Sequence, residues 1–133
     1  MSDCIFCKIS GGVIPCHKIY EDDYALAFLD IFPHAKGHTV VIPKKHLENL
    51  DEFTPEEWGF LMAAVYKVAK RVEEVLKPDG MNIAINDRPM AGQVVPHTHW
   101  HILPRYEGDG GGSVHSIIKN PGDIKPEELI KLF

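Results

Sequence analysis

Apolar residues along the chain form one long helical stripe and several short alternating blocks. Thr54-Pro55-Glu56-Glu57 has the form of a capping box with proline at the first helical position. Behind it Phe60, Leu61, Ala64, Val65, Val68, Ala69, Val72, Val75 and Leu76 recur three and four residues apart, the spacing of one helix face. Pro78-Asp79-Gly80 ends the stripe. It holds more apolar residues than one core face needs, which is compatible with a second interface.

The short blocks predict strands. Residues 19–21 and 24–29 flank an Asp22-Asp23 turn, and 38–42 is rich in β-branched residues and ends at Pro43. Residues 81–86 and 97–103 are two more, separated by the loop 87–96. Residues 30–36, which include Pro33, read as a loop. Residues 4–10 fit a helical turn stopped by Gly11-Gly12, and 125–132 fit a short terminal helix opening at Pro126. Residues 108–113 read as a mobile loop matching neither GxGxxG nor a P-loop. Five strands and a long helix without βαβ alternation predict an α+β fold with an antiparallel sheet.

Length and charge narrow the class. The 133 residues suit a single domain, 1–133, with a core at about 4–105 and a tail at 106–133. Nineteen acidic residues against fourteen basic give a charge of −5, with no basic block, which argues against a nucleic acid polymer as partner. No apolar run approaches the roughly 18 residues that span a bilayer. Met1 to Lys8 lacks the build of a signal peptide, so a cytoplasmic location is expected. Three cysteines, Cys4, Cys7 and Cys16, make no disulfide framework.

The candidate chemistry lies in His97-Thr98-His99-Trp100-His101. On a strand, alternate side chains share a face about 6.6–6.8 Å apart, so three imidazoles would line one side. Titratable groups gathered this way suit a three-histidine metal centre or nucleophilic catalysis. The outer rings of a strand would lie about 13 Å apart, too far to share one ion, and this favours the nucleophile. Cys4-x-x-Cys7 is a zinc-type pair that, alone, could equally be two free thiols.

Together with Phe28-Leu29-Asp30-Ile31, the run from Gly37 to His46 (Gly-His-Thr-Val-Val-Ile-Pro-Lys-Lys-His), Asn86 and Gly92-Gln93, the triad makes residues 4–105 resemble the histidine triad (HIT) superfamily of nucleotide hydrolases and transferases. The resemblance implies the HIT-like fold: five antiparallel strands with one long and one short helix, in a homodimer. It implies an enzyme acting at the α-phosphate of purine nucleotides such as phosphoramidates, dinucleoside polyphosphates or acyl-nucleotides. His99 would attack phosphorus and carry a covalent nucleotidyl group. His101 would contact the phosphate and help protonate the leaving group. The main chain near His97 would orient His99, and His38 would stand behind the triad. Asp30 would hold the ribose, Ile5, Phe6, Ile9, Phe28, Leu29 and Ile31 the base, and Asn86, Gly92 and Gln93 the phosphates. Relatives with an N-terminal CxxC imply a structural zinc on Cys4, Cys7, His46 and His97, with no metal needed for the chemistry.

Plainer readings stand beside these. Phe28, Ile31 and Ile5 could be core, Asp30 could cap its loop, Gly92 could serve only a turn, and His38 could be an ordinary strand residue. His17, His34 and His115 match nothing and read as surface. Thr98, polar between the histidines, and Val94, where relatives carry a hydroxyl, depart from the pattern. A nucleotide-binding regulatory protein with residual hydrolysis is the alternative function, and a zinc-dependent hydrolase with an open histidine site a third.

Overall fold

Thr54 caps the long helix as its sequence predicts: its hydroxyl accepts from the Glu57 N–H while the Glu57 carboxylate accepts from the Thr54 N–H. In the computed structural model, which describes residues 3–133, this helix is Pro55–Leu76. Met1 and Ser2, where the reading of a leaderless N-terminus begins, lie outside the described residues. Numbered in chain order, the α-helices are α1 (Ile5–Ser10), α2 (Pro55–Leu76) and α3 (Pro126–Leu129). The strands are β1 (Lys18–Glu21), β2 (Ala25–Leu29), β3 (Thr39–Pro43), β4 (Gly80–Ile85) and β5 (Trp100–Arg105). They form one antiparallel sheet in the order β1-β2-β3-β5-β4. The two short helices lie where residues 4–10 and 125–132 predict helical turns, and short 3₁₀ turns follow Asn49, Arg88, Ser113 and Leu129.

Alternation along the strands divides the core in two. Ala25, Ala27, Val41 and Ile102 face α2 and pack on Leu61, Ala64, Val65, Val68, Ala69 and Val72. Leu26, Phe28, Val40 and Ile42 point the other way and are covered by Phe6 and Ile9 of α1. Phe60 and Val75, counted in the apolar stripe, are instead half exposed at 51% and 56%.

The triad strand begins later than its alternating pattern suggests. The ladder starts at Trp100 and runs to Arg105, so of the three histidines only His101 lies within it. The reason is where the preceding N–H groups go. His97 N–H donates to the Val95 carbonyl at 2.8 Å and Thr98 N–H to the Leu47 carbonyl at 2.7 Å, loop partners that take the place of a neighbouring strand.

Two glycines shape the approach to this region. Gly37 has φ +86° and precedes His38; a Cβ there would strike the Leu76 side chain. Gly92 has φ +102° and turns the loop back against Asn86, whose side chain a Cβ would touch at 3.6 Å.

Candidate active site and metal centre

The face carrying Phe28 and Val40 also carries the histidines. Val40 is directly opposite His101 in the ladder, and His38 precedes it by one alternation. The His99 and His101 rings lie 5.0 Å apart, His38 and His101 5.2 Å. Phe6 of α1 packs edge-on against His99 at 5.1 Å and His97 at 5.9 Å. The helix that covers this core layer therefore also walls the histidine cluster.

Hydrogen bonds assign a tautomer to each ring. The His34 main-chain N–H donates to Nδ1 of His38 at 3.1 Å, so the His38 proton sits on Nε2. That nitrogen lies 2.9 Å from Nδ1 of His101 and donates to it, which leaves the His101 proton on its own Nε2. His99 is set the opposite way: its Nδ1 donates to the His97 carbonyl at 2.8 Å, so its Nε2 holds a free lone pair. Two adjacent rings thus present one nucleophilic nitrogen and one N–H donor.

Burial keeps these rings neutral. It lowers the His99 and His38 pKa values against the opposing pull of Asp30. It pushes His101 down to about 4, with the neighbouring His99 and His38 adding to the effect.

Asp30 follows β2. Its Oδ1 accepts from the Phe32 N–H at 2.8 Å, as a loop cap does, while Oδ2 stands 3.7 Å from Nε2 of His38. Of the residues read as a base pocket, Phe28 is core at 5% exposure and packs on Phe6 at 5.7 Å. Ile5, Leu29 and Ile31 are at the surface, so the core alternative does not hold for Ile5 and Ile31. Ile9 lies partly buried against Phe28 and its neighbours. The Gln93 amide ties its loop together and to the segment after β3: Oε1 accepts from the Arg88 N–H, and Nε2 donates to the Glu48 and Val95 carbonyls. It braces the loop that holds Asn86 and Gly92.

The imidazole of His97 belongs to a different cluster. Its Nε2 donates to the Pro43 carbonyl at 2.8 Å, so Nδ1 is unprotonated, and it faces Cys4 Sγ at 3.4 Å and Cys7 Sγ at 3.6 Å. His46 Nδ1 lies 3.2 Å from Cys7 Sγ. All four donor atoms fall within 4.8 Å of one another. A tetrahedral zinc with Zn–S near 2.3 Å and Zn–N near 2.0–2.1 Å needs sulfur–nitrogen edges of about 3.5 Å, so this donor set fits that ion. The carbonyl bonded to the far nitrogen of His97 is the outer partner that metal-bound histidines use. Asp30, His38 and His101 also converge, but His38 and His101 already hydrogen-bond each other.

Three contributions escape sequence reading: the His34 amide, the Pro43 carbonyl and the Gln93 brace. The first two are main-chain groups, which no residue type announces. His34 itself is at the surface, as its sequence suggested.

A buried histidine pair with opposed tautomers, beside a Cys/His cluster drawn from α1 and from the segments after β3 and before β5, defines a class of site. The family model described as the HIT domain matches residues 11–108, and the chain belongs to the HIT family. It is similar to a crystal structure of a HIT family member from Bacillus subtilis, with 48% identity and a TM-score of 0.85 over 98% of this chain and 92% of that one. It is also similar to a zinc-bound histidine triad family protein from Mycobacterium smegmatis, at 40% identity and a TM-score of 0.79 over 91% and 85% of the two chains. An adenosine 5′-monophosphoramidase of Schizosaccharomyces pombe is 42% identical over 124 residues, 92% of this chain and 90% of its own.

Proposed function

We propose that this chain is a nucleotide hydrolase or transferase that acts at the α-phosphate of purine nucleotides through a covalent intermediate on His99. The observation that carries the reading is the pair of opposed tautomers. Nε2 of His99 is free to attack phosphorus, and the adjacent Nε2–H of His101 is placed to donate. In the first step an N–P bond forms on His99 as the bond from phosphorus to the leaving group breaks. The leaving atom takes the electron pair and a proton through Nε2 of His101, which the charge of the bound phosphate first draws to its doubly protonated form, because a neutral imidazole is too weak an acid to give up its one proton. Water then breaks the N–P bond and returns that proton.

His38 holds the His101 tautomer, and the His97 carbonyl holds that of His99. Asp30 receives the ribose hydroxyls through its freer oxygen. Phe6, Ile9 and Phe28, with Ile5, Leu29 and Ile31 at the rim, take the base. Asn86, Gly92 and the main chain at Gln93 line the phosphates. The phosphoramidase named among the relatives supports phosphoramidates as a substrate class.

Cys4, Cys7, His46 and His97 would hold a zinc, supported by the donor distances and by the zinc-bound relative. With four protein ligands the ion would be structural, tying α1 to the segment that carries His99. The chain would act in the cytoplasm, where such thiols stay reduced. It would act as a homodimer, using the unpaired outer edge of β4 and the exposed Phe60, Tyr66 and Val75 of α2. Among the described residues no helix is long and apolar enough to cross a membrane.

The test is a panel of adenosine and guanosine phosphoramidates, dinucleoside polyphosphates and acyl-adenylates, assayed for release of AMP or GMP. Release without loss on chelation agrees with the reading; no release from any member contradicts it.

A further inference from the structure

Beyond His101 the sheet face continues into a cavity of about 390 Å³. Its floor includes Ala84, which lies directly opposite His101 in the β4–β5 ladder, and Leu103, the next residue of β5 on that face. One wall is the β2–β3 loop with Lys36; the other is the segment after β5, with Tyr106, Val114 and Ile117. That segment is held in place by Arg105. Its guanidinium pairs with both carboxylate oxygens of Asp109, at 2.8 Å each, and also donates to Asn82 Oδ1 and to the Gly112 carbonyl. Asp109, Gly111 and Gly112 of the Gly-rich run thereby form part of that wall.

We infer that this cavity receives the leaving group of the reaction, and that it selects one with an apolar body and an anionic end. The inference rests on the chemistry proposed above. The base and ribose positions lie on the α1 side of the histidines, around Phe6, Phe28 and Asp30. An in-line displacement expels the leaving group away from the attacking His99, past the donor His101. The concave surface adjoining His101 on its β4 side is this cavity. Leu103, Val114, Ile117 and Ala84 make it mainly apolar.

Its charge is also one-sided. Asp109 is taken by Arg105, so the two cancel. The Lys36 ammonium sits 5.5 Å from the centre of the Tyr106 ring and has no carboxylate within 4.0 Å among the described residues. It is the cation left to meet an anion on the occupant. The balance of the step is unchanged: the P–N bond breaks, the amine takes the electron pair and one proton, and the nucleotidyl group stays on His99.

The test compares three adenosine 5′-phosphoramidates whose leaving groups are ammonia, N-linked phenylalanine, and the amide of that phenylalanine. Wild type should favour the phenylalanine compound over the ammonia compound by about tenfold or more in kcat/KM, with the uncharged amide between. Lys36→Gln should remove the difference between acid and amide. Ile117→Asp, on the exposed tail wall, should bring phenylalanine and ammonia to within about threefold of each other. Both variants should leave turnover of the ammonia compound unchanged. Equal use of all three by wild type, or a preference untouched by both variants, overturns the assignment while leaving the nucleophile in place. Absence of AMP release from all three overturns the chemistry and the subsite together.

Discussion

His97 faces two ways: its imidazole Nδ1 lies 3.4 Å from Cys4 Sγ, while its main-chain carbonyl accepts the Nδ1–H of His99 at 2.8 Å. The Cys/His cluster and the proposed nucleophile are therefore joined through one residue. Whatever fixes the ring of His97 also fixes the carbonyl that sets the His99 tautomer.

Metal content checks the first half of that link. Protein from zinc-replete growth, purified without chelators, should hold about one zinc per chain. Cys4→Ser combined with Cys7→Ser should lose it and lower the melting temperature, because a metal held by the folded state alone stabilises only that state. Full metal content in the double variant would show that the ion sits elsewhere.

Ribose recognition is checked at Asp30. A 2′,3′-dideoxy substrate should cost wild type about 2–4 kcal/mol in kcat/KM, for two hydrogen bonds to a charged group. Asp30→Ala should cost a similar amount with the ordinary substrate, and the two changes together little more than either alone. Simple additivity would confine Asp30 to its bond with the Phe32 N–H.

Acid should destabilise the fold through the buried rings. His101 is held down to about 4 in the folded chain against about 6.5 when unfolded. The unfolded state therefore binds its proton first as pH falls. The stabilising contribution is complete above about pH 6.5 and declines toward pH 4, by at most about 1.4 kcal/mol per unit. Urea unfolding from pH 7.5 to 4.5 should show this decline, and His101→Gln should flatten it. An unchanged slope in the variant would assign the effect to other groups.

Gly37→Ala should destabilise by about 2 kcal/mol or more, since φ is +86° and the new Cβ meets Leu76. Urea midpoints measure it; an unchanged midpoint would mean that the turn before His38 relaxes freely.

The elements were legible where local chemistry agrees with packing. The Thr54 box, the α2 stripe and the β-branched block of β3 all fold as patterned, most ends shifting by a residue. The triad was legible as residues but not as backbone. Alternation of His97, His99 and His101 suggested one continuous strand, whereas loop carbonyls capture the N–H groups of His97 and Thr98. Thr98 is nevertheless buried, with no partner for its hydroxyl among the described residues. The zinc-type pair was legible as spacing; the distances from Cys4 and Cys7 to His97, 93 and 90 residues away, needed the fold.

The most direct measurement is covalent labelling. The protein, mixed with a phosphoramidate labelled in its adenylyl group and quenched in alkali, should retain label on His99, released again by acid as a phosphorus–nitrogen bond requires. His99→Ala should lose both label and turnover while still binding AMP. Full turnover in His99→Ala, or label on another residue in wild type, would contradict the account.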